Sequence, residues 1–182
     1  MILHRFVTPI LTVALLASVA RSEPEPRIAI EQALTGAWAG ALEYQDYSPP
    51  RRRVALPTTL MVARDKDRTA LILHFVYDDG PGKLVTEVER FALDGEGRHI
   101  EWGAVSDTIR QVYTVRESRP GDGGRGRRMM LEIQGSDDDA PATIRETVSV
   151  TERELRILKE VRPAASGAGA RFGFRHEYVL RR

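Results

Sequence analysis

From residue 36 onward, apolar and polar positions alternate in short runs separated by turn residues, and the period is that of strands rather than helices. The run Gly36-Ala-Trp-Ala-Gly-Ala-Leu-Glu-Tyr-Gln-Asp-Tyr47 places Trp38, Leu42, Tyr44 and Asp46 on one face and Glu43, Gln45 and Tyr47 on the other. Leu71, Leu73, Phe75 and Tyr77 alternate with Ile72, His74, Val76 and Asp78, so this strand is expected to be covered on both sides. The pattern predicts ten strands, at about 37–47, 53–64, 69–78, 84–93, 98–104, 108–117, 128–135, 142–150, 155–162 and 171–181. Between them stand turn formers such as Asp78-Asp79-Gly80-Pro81-Gly82, Asp94-Gly95-Glu96-Gly97 and Asp137-Asp138-Asp139. Ahead of the first strand, Ile28 to Leu34 predicts one or two helical turns ending at Gly36. Leu158 interrupts the inward set Leu155, Ile157 and Val161, which predicts a bulge in the ninth strand.

Even, hairpin-length spacing of short strands is the pattern of a sandwich or an up-and-down barrel and leans toward the barrel, which leaves no strand edge to protect. The expected fold is therefore all-β, a single antiparallel up-and-down barrel of 8–10 strands with a short N-terminal helix. A barrel embedded in an outer membrane would need a continuous lipid-facing apolar row. Glu87, Glu89, Arg110, Arg116, Arg145, Glu146 and Lys159 fall mid-strand on varied phases and argue against it. Charges of that kind facing lipid cost about 2–4 kcal/mol each for Lys or Arg near the midplane.

The chain ends and composition add a compartment. His4 and Arg5, the apolar stretch Phe6 to Leu16, and Ser18-Val19-Ala20 form the three regions of a secretory signal, with cleavage expected after Ala20. Residues 21–35 then read as a lead-in with the short helix and 36–182 as the barrel domain. No run approaches the roughly 20 apolar residues of a spanning helix, so no transmembrane segment is expected. Removing residues 1–20 leaves 162 residues, with 26 Lys+Arg against 26 Asp+Glu. That balance carries no basic excess pointing to nucleic acid. The absence of cysteine excludes disulfides, a thiolate nucleophile and thiolate metal ligation. A periplasmic or secreted protein is the expectation.

The Gly36-x-Trp38 opening after a short helix, together with an arginine-bearing last strand (Arg171, Arg175), resembles the lipocalin-like or calycin β-barrels. Leu42 to Tyr47, Arg53 to Leu60 and the Phe172-Gly-Phe-Arg-His-Glu-Tyr ending are also similar to small exported bacterial lipocalin-like proteins. The resemblance implies that Trp38 packs at the closed end of the barrel beside Gly36, and that an arginine of the last strand lies across it. Arg175 is the candidate for that role, with Arg171 or Arg181 as alternatives. Ten strands exceed the eight of lipocalins and match the fatty-acid-binding branch.

Candidate chemistry is sparse. His74, His99 and His176 sit in three different predicted strands without metal-ligand spacing, so no metal site is expected. No serine stands in a nucleophile-elbow sequence, and the Gly121 to Gly126 loop lacks phosphate-loop context. No catalytic residue and no cofactor is predicted. The aromatic residues are expected mainly to fill the core, with some lining a cavity where an apolar ligand meets a few polar groups. The candidate lining is Tyr44, Phe75, Tyr77, Trp102, Arg110 and Tyr113; an inward Arg110 would suit a carboxylate ligand.

The leading functional expectation is a non-enzymatic, exported barrel holding a small apolar or amphipathic molecule. The alternative is an envelope or inhibitor-type barrel that binds a protein partner, not identified by the sequence, through loops 48–53, 118–128 and 163–170, of which the last two would frame a mouth. An enzyme would need two titratable groups in one pocket, with His74, His99 and Tyr113 the first to inspect.

Overall fold

The computed structural model describes residues 26–46, 52–67, 69–108, 110–121 and 125–182, with side chains from Ile30 onward. The signal segment with its cleavage position, most of the lead-in, and Tyr47 lie outside the described residues.

Among the described residues one helix, α1 (Pro26–Leu34), precedes ten strands: β1 (Gly36–Asp46), β2 (Arg52–Arg64), β3 (Leu71–Asp78), β4 (Leu84–Leu93), β5 (His99–Ala104), β6 (Gln111–Pro120), β7 (Arg127–Asp137), β8 (Ala140–Val150), β9 (Glu154–Pro163) and β10 (Gly173–Arg181). Each strand pairs antiparallel with its sequence neighbours, and β1 closes on β10 to form a barrel without an edge. The expected all-β, up-and-down fold is the observed one, and ten strands form. Pro26 opens the helix, a position where its missing N–H costs nothing.

Closure demands close backbone approach. A Cβ on Gly40 would lie 2.1 Å from the Val179 carbonyl oxygen where β1 meets β10, so only glycine fits. The β7–β8 hairpin turns through Asp138 and Asp139, both at positive φ (49° and 62°), as a two-residue loop matching strand twist requires. The phase-breaking residue is not in β9. The ladder between β9 and β10 shifts between Phe174 and His176, so Arg175 is the extra residue; a second shift between Val115 and Glu117 falls in β6.

Up-and-down winding sends alternate connections to opposite ends. Those after β1, β3, β5, β7 and β9 lie at one end, and the rest lie at the other with α1 and the C-terminus. The β6–β7 connection, which the sequence pattern would set beside 163–170 at a mouth, therefore belongs to the opposite end. Its flanking strands also run further than expected, to Pro120 and from Arg127.

At the helix end the interior is apolar. Trp38, Leu60, Val62, Leu73, Phe91, Ile100, Leu155 and Leu180 are buried together with Ile30 and Leu34 of α1, which stops that end. The helix is tied down by its last carbonyls: the Trp38 indole donates to Leu34 O (2.8 Å), and Thr35 N–H and Oγ1 donate to Glu31 O (3.1 and 2.7 Å). Buried Glu31 pairs with Arg64 at 3.1 Å. Among the described residues no helix is long and apolar enough to cross a membrane.

Candidate ligand-binding cavity

The ladder pairs Trp38 with Leu60, Leu60 with Phe75, Phe75 with Glu87, and Leu73 with Glu89, so cross-strand neighbours share one face. Because Phe75 and Leu73 are interior, Glu87 and Glu89 point inward too. The same reasoning carries around the wall. Val148 and Ile157 are interior partners, and two residues along each strand their neighbours Glu146 and Lys159 form the next inward pair. Lys159 pairs in turn with His176 on β10. Interior charge begins at one level in β4, β8, β9 and β10, above the apolar plug.

At this level the barrel holds a cavity of about 310 Å³. Phe75, Trp102, Tyr113, Ile157 and Tyr178 supply its aromatic and apolar wall, and Glu87, Glu89, Glu146, Lys159, His176 and Asp107 its ionisable one. In the apolar half the comparable void is about 10 Å³. Solvent enters from the end away from α1, since Val85 and Glu87 face inward yet remain exposed.

The polar groups differ sharply in how they are satisfied. Trp102 Nε1 donates to Glu89 Oε2 at 2.7 Å. Tyr77 and Tyr178 join hydroxyls at 2.9 Å, and Tyr77 Oη also lies 3.2 Å from Glu87 Oε2. Tyr113 donates to Gln111 Oε1 at 2.7 Å. Glu146 is 6 % exposed, and its Oε2 is buried without a hydrogen-bond partner. Leaving such an atom unpaired costs free energy that a bound hydrogen-bonding group would recover.

Burial dominates the titration of these groups. It pushes the Glu146 carboxyl up to about 8, opposed by Lys159 and reinforced by Glu89. It raises Glu89 to about 7 against the Trp102 hydrogen bond, with Glu87 adding to the rise. Burial lowers the His176 imidazole to about 4, with Lys159 and Arg175 adding to the effect, so His176 is neutral near pH 7. The Tyr77, Tyr113 and Tyr178 hydroxyls are raised, first by burial, and stay protonated.

Of the residues singled out from sequence, Phe75, Trp102 and Tyr113 meet in this wall, and Tyr77 packs behind it, its ring stacked on Phe75 at 6.0 Å. Tyr44 pairs across the ladder with His176 but stands beyond the cavity wall. Arg110 does not point in. Its Nη1 lies 3.0 Å from Glu101, which alternates with inward Ile100 and Trp102 and so faces out, where Arg90 also reaches it at 3.5 Å. Arg175 is not the arginine on Trp38: it sits at the open end with Asp137 (3.2 Å) and Asp138 (2.7 Å). Arg182 takes that place, its guanidinium 4.0 Å from the Trp38 ring centroid and its Nη2 donating to Ala33 O and Thr35 O at 2.8 and 2.6 Å. Gly36 lies at φ 131°, a conformation open to glycine, with a Cβ position 3.4 Å from the same guanidinium.

His74 is exposed on the outer face of β3 and His99 bonds Asp94 at 3.1 Å on the surface, so neither shares a pocket with Tyr113. Sequence reasoning missed Glu87, Glu89, Glu146, Lys159, His176 and Tyr178 as a set. The signal was available in phase: Glu89 and Glu87 fall two and four residues before Phe91, and Glu146 two before Val148. Larger hollows lie outside the barrel, such as one of about 430 Å³ beside Arg128 and Arg156, but there Arg156 already pairs with Glu177 at 2.9 Å.

Among the described residues no group of three His, Asp or Glu could hold a metal ion. The closed ten-strand antiparallel barrel is consistent with a calycin-like fold. Compared with known proteins, the chain matches no family model and no curated protein in sequence.

Proposed function

We propose that this protein is a small-molecule-binding barrel that takes an amphipathic ligand in its open half. One observation carries the reading: the interior is packed solid beside α1 and hollow at the other end, where about 310 Å³ adjoins an aromatic wall and a buried carboxyl with an unsatisfied oxygen. The volume lies at the lower end of the roughly 300–1,000 Å³ typical of ligand sites, and the lining is more polar than most such sites. A barrel filled for stability alone would continue the Leu, Ile and Val layers upward instead of burying Glu146. Residues 1–20 fit the same reading, as the export signal of a carrier that works in the periplasm or medium. The protein-interaction alternative keeps two of its three loops on one surface, because the β1–β2 and β9–β10 connections emerge together and the β6–β7 connection at the opposite end.

The test is native mass spectrometry of the full chain purified from its own host, beside an Ala104→Trp variant. Ala104 lies in the cavity wall opposite Glu89 in the ladder, so the indole fills the space without disturbing the plug. A noncovalent small-molecule adduct on the wild type and none on a folded Ala104→Trp is the expected result. An adduct that survives the filling, or a chain that co-purifies stoichiometrically with another protein and no small molecule, counts against the proposal.

A further inference from the structure

The charge census of the cavity narrows what it can hold. Four acids line it, Glu87 and Glu89 from β4, Asp107 from the β5–β6 connection and Glu146 from β8, against a single lysine, Lys159 of β9. Among the described residues no arginine lines it, and His176 of β10 is held neutral by burial beside Lys159. An anionic head group would oppose ionisation of Glu146 and Glu89 and would meet Glu87 and Asp107 at the mouth, with Lys159 alone among the described lining residues to receive it. A neutral hydroxyl satisfies Glu146 Oε2 with one hydrogen bond and gains no charge. An ammonium offers several donors and a positive charge, and charge-assisted bonds to buried carboxylates are the stronger kind. Trp102, Tyr113 and Tyr178 line the same space, and aromatic walls also favour a cation.

We propose that the cavity takes an organic amine, its cationic nitrogen received by Glu146 and Glu89 and its apolar body by Phe75, Trp102 and Ile157. The assignment rests on the ligand-binding reading above and names the chemistry of that ligand. It has a thermodynamic consequence. Near neutral pH in the empty barrel Glu146 holds its proton and Glu89 is partly protonated, so a cation must displace that proton charge, and binding and proton release are linked. Affinity for the amine rises with pH until both carboxyls are ionised. The groups facing Glu146 are Lys159 on β9, Glu89 and Glu87 on β4, Asp107 in the β5–β6 connection, Tyr113 on β6, and His176 and Tyr178 on β10; Lys159 and Glu89 act on it directly, and its ladder partner on β7 is Leu131.

Three probes with one body separate the possibilities: 2-phenylethylamine, 2-phenylethanol and 3-phenylpropionate, titrated calorimetrically into the full chain. At about pH 8.5 the amine should bind at least about tenfold tighter than the alcohol, the order expected of a charge-assisted bond, and this preference should shrink at about pH 5.5. Glu146→Gln should abolish the preference, and Glu89→Gln, which keeps a hydrogen-bonding oxygen for Trp102, should reduce it in a folded barrel. If the alcohol or the propionate binds as tightly as the amine at the higher pH, or if Glu146→Gln keeps the preference, the amine assignment falls and the ligand-binding reading stands. If none of the three binds wild type and Ala104→Trp behaves identically, both fall together.

Discussion

The two halves of the barrel interior are built from the same ten strands and differ in what they are made to do. Beside α1 the inward positions from Val62, Leu73 and Phe91 around to Leu155 and Leu180 are apolar, and the packing leaves about 10 Å³ unfilled. One step further along the same strands, Phe91 gives way to Glu89, Val148 to Glu146 and Ile157 to Lys159, and the cavity is about 310 Å³. The first half supplies the burial that holds the fold. The second spends some of that stability on groups that are poorly satisfied until something binds, the usual compromise at a functional site.

The contrast breaks most visibly in the plug. Phe91, 2 % exposed and edge-on to Trp102 at 5.3 Å, is the residue at the boundary. Phe91→Ala should cost about 3–5 kcal/mol, the range for emptying an aromatic site in a well-packed core. Urea unfolding monitored by circular dichroism measures it, and a loss under about 1 kcal/mol would show that the interior beside α1 is not the stabilising half.

The upper half should respond to pH rather than to volume. Glu146 and Glu89 titrate near 8 and 7 in the folded barrel against 4.5 ordinarily, so over that interval the folded state keeps protons that the unfolded chain has released. Their contribution is complete below about pH 4.5 and is lost as pH rises through 7 and 8, by roughly tenfold in the folding equilibrium per proton per pH unit. His176 runs in the opposite sense: its folded value near 4 lies below the ordinary 6.5, so its contribution is present above 6.5 and lost on acidification. Two carboxyls outweigh one imidazole between these limits, and the urea midpoint should fall from about pH 5.5 to about pH 8.5. Glu146→Gln should flatten that slope and stabilise the protein at the higher pH by about 1–3 kcal/mol, since it removes a buried charge. A variant no more stable than wild type there would mean that Glu146 is better solvated than its burial indicates.

The sequence made the architecture legible and the site only half so, and the reason is physical. Strand period and turn chemistry are local, and they marked ten strands to within a few residues; the largest shift was in β6, which starts at Gln111 and not near 108. Which face of a strand lines the interior is not local. The mid-strand charges fall on varied phases and sequence does not assign their faces; burying a charge is costly, yet a barrel open at one end lets Glu87, Glu89 and Lys159 face inward within reach of water. Of the charges that argued against lipid contact, Arg116 and Arg145 do face out, and both bond Glu132 (3.2 and 2.8 Å). Phasing outward from residues certain to be core, such as Phe91 and Val148, would have found the acids. It would not have found Arg182, whose position depends on how the chain leaves β10.

The smallest effects separate the two arginines that the last strand offers. Arg182 lies across Trp38 and caps Ala33 O and Thr35 O, where a cation also meets the negative end of the α1 dipole. Arg175 makes half-exposed ion pairs to Asp137 and Asp138 at the far rim. Arg182→Ala should cost about 1–2 kcal/mol and increase hydrogen exchange in α1, because the helix loses two of its carbonyl partners. Arg175→Ala should cost less than about 1 kcal/mol and leave α1 exchange unchanged, as expected of a surface pair. Arg182→Lys should recover only part of the loss, since an ammonium cannot stack flat on the indole while reaching both oxygens. Equal effects of the two alanine variants on α1 would mean that the helix is held by Trp38 and the buried Glu31–Arg64 pair alone, and that the guanidinium merely rests on the ring.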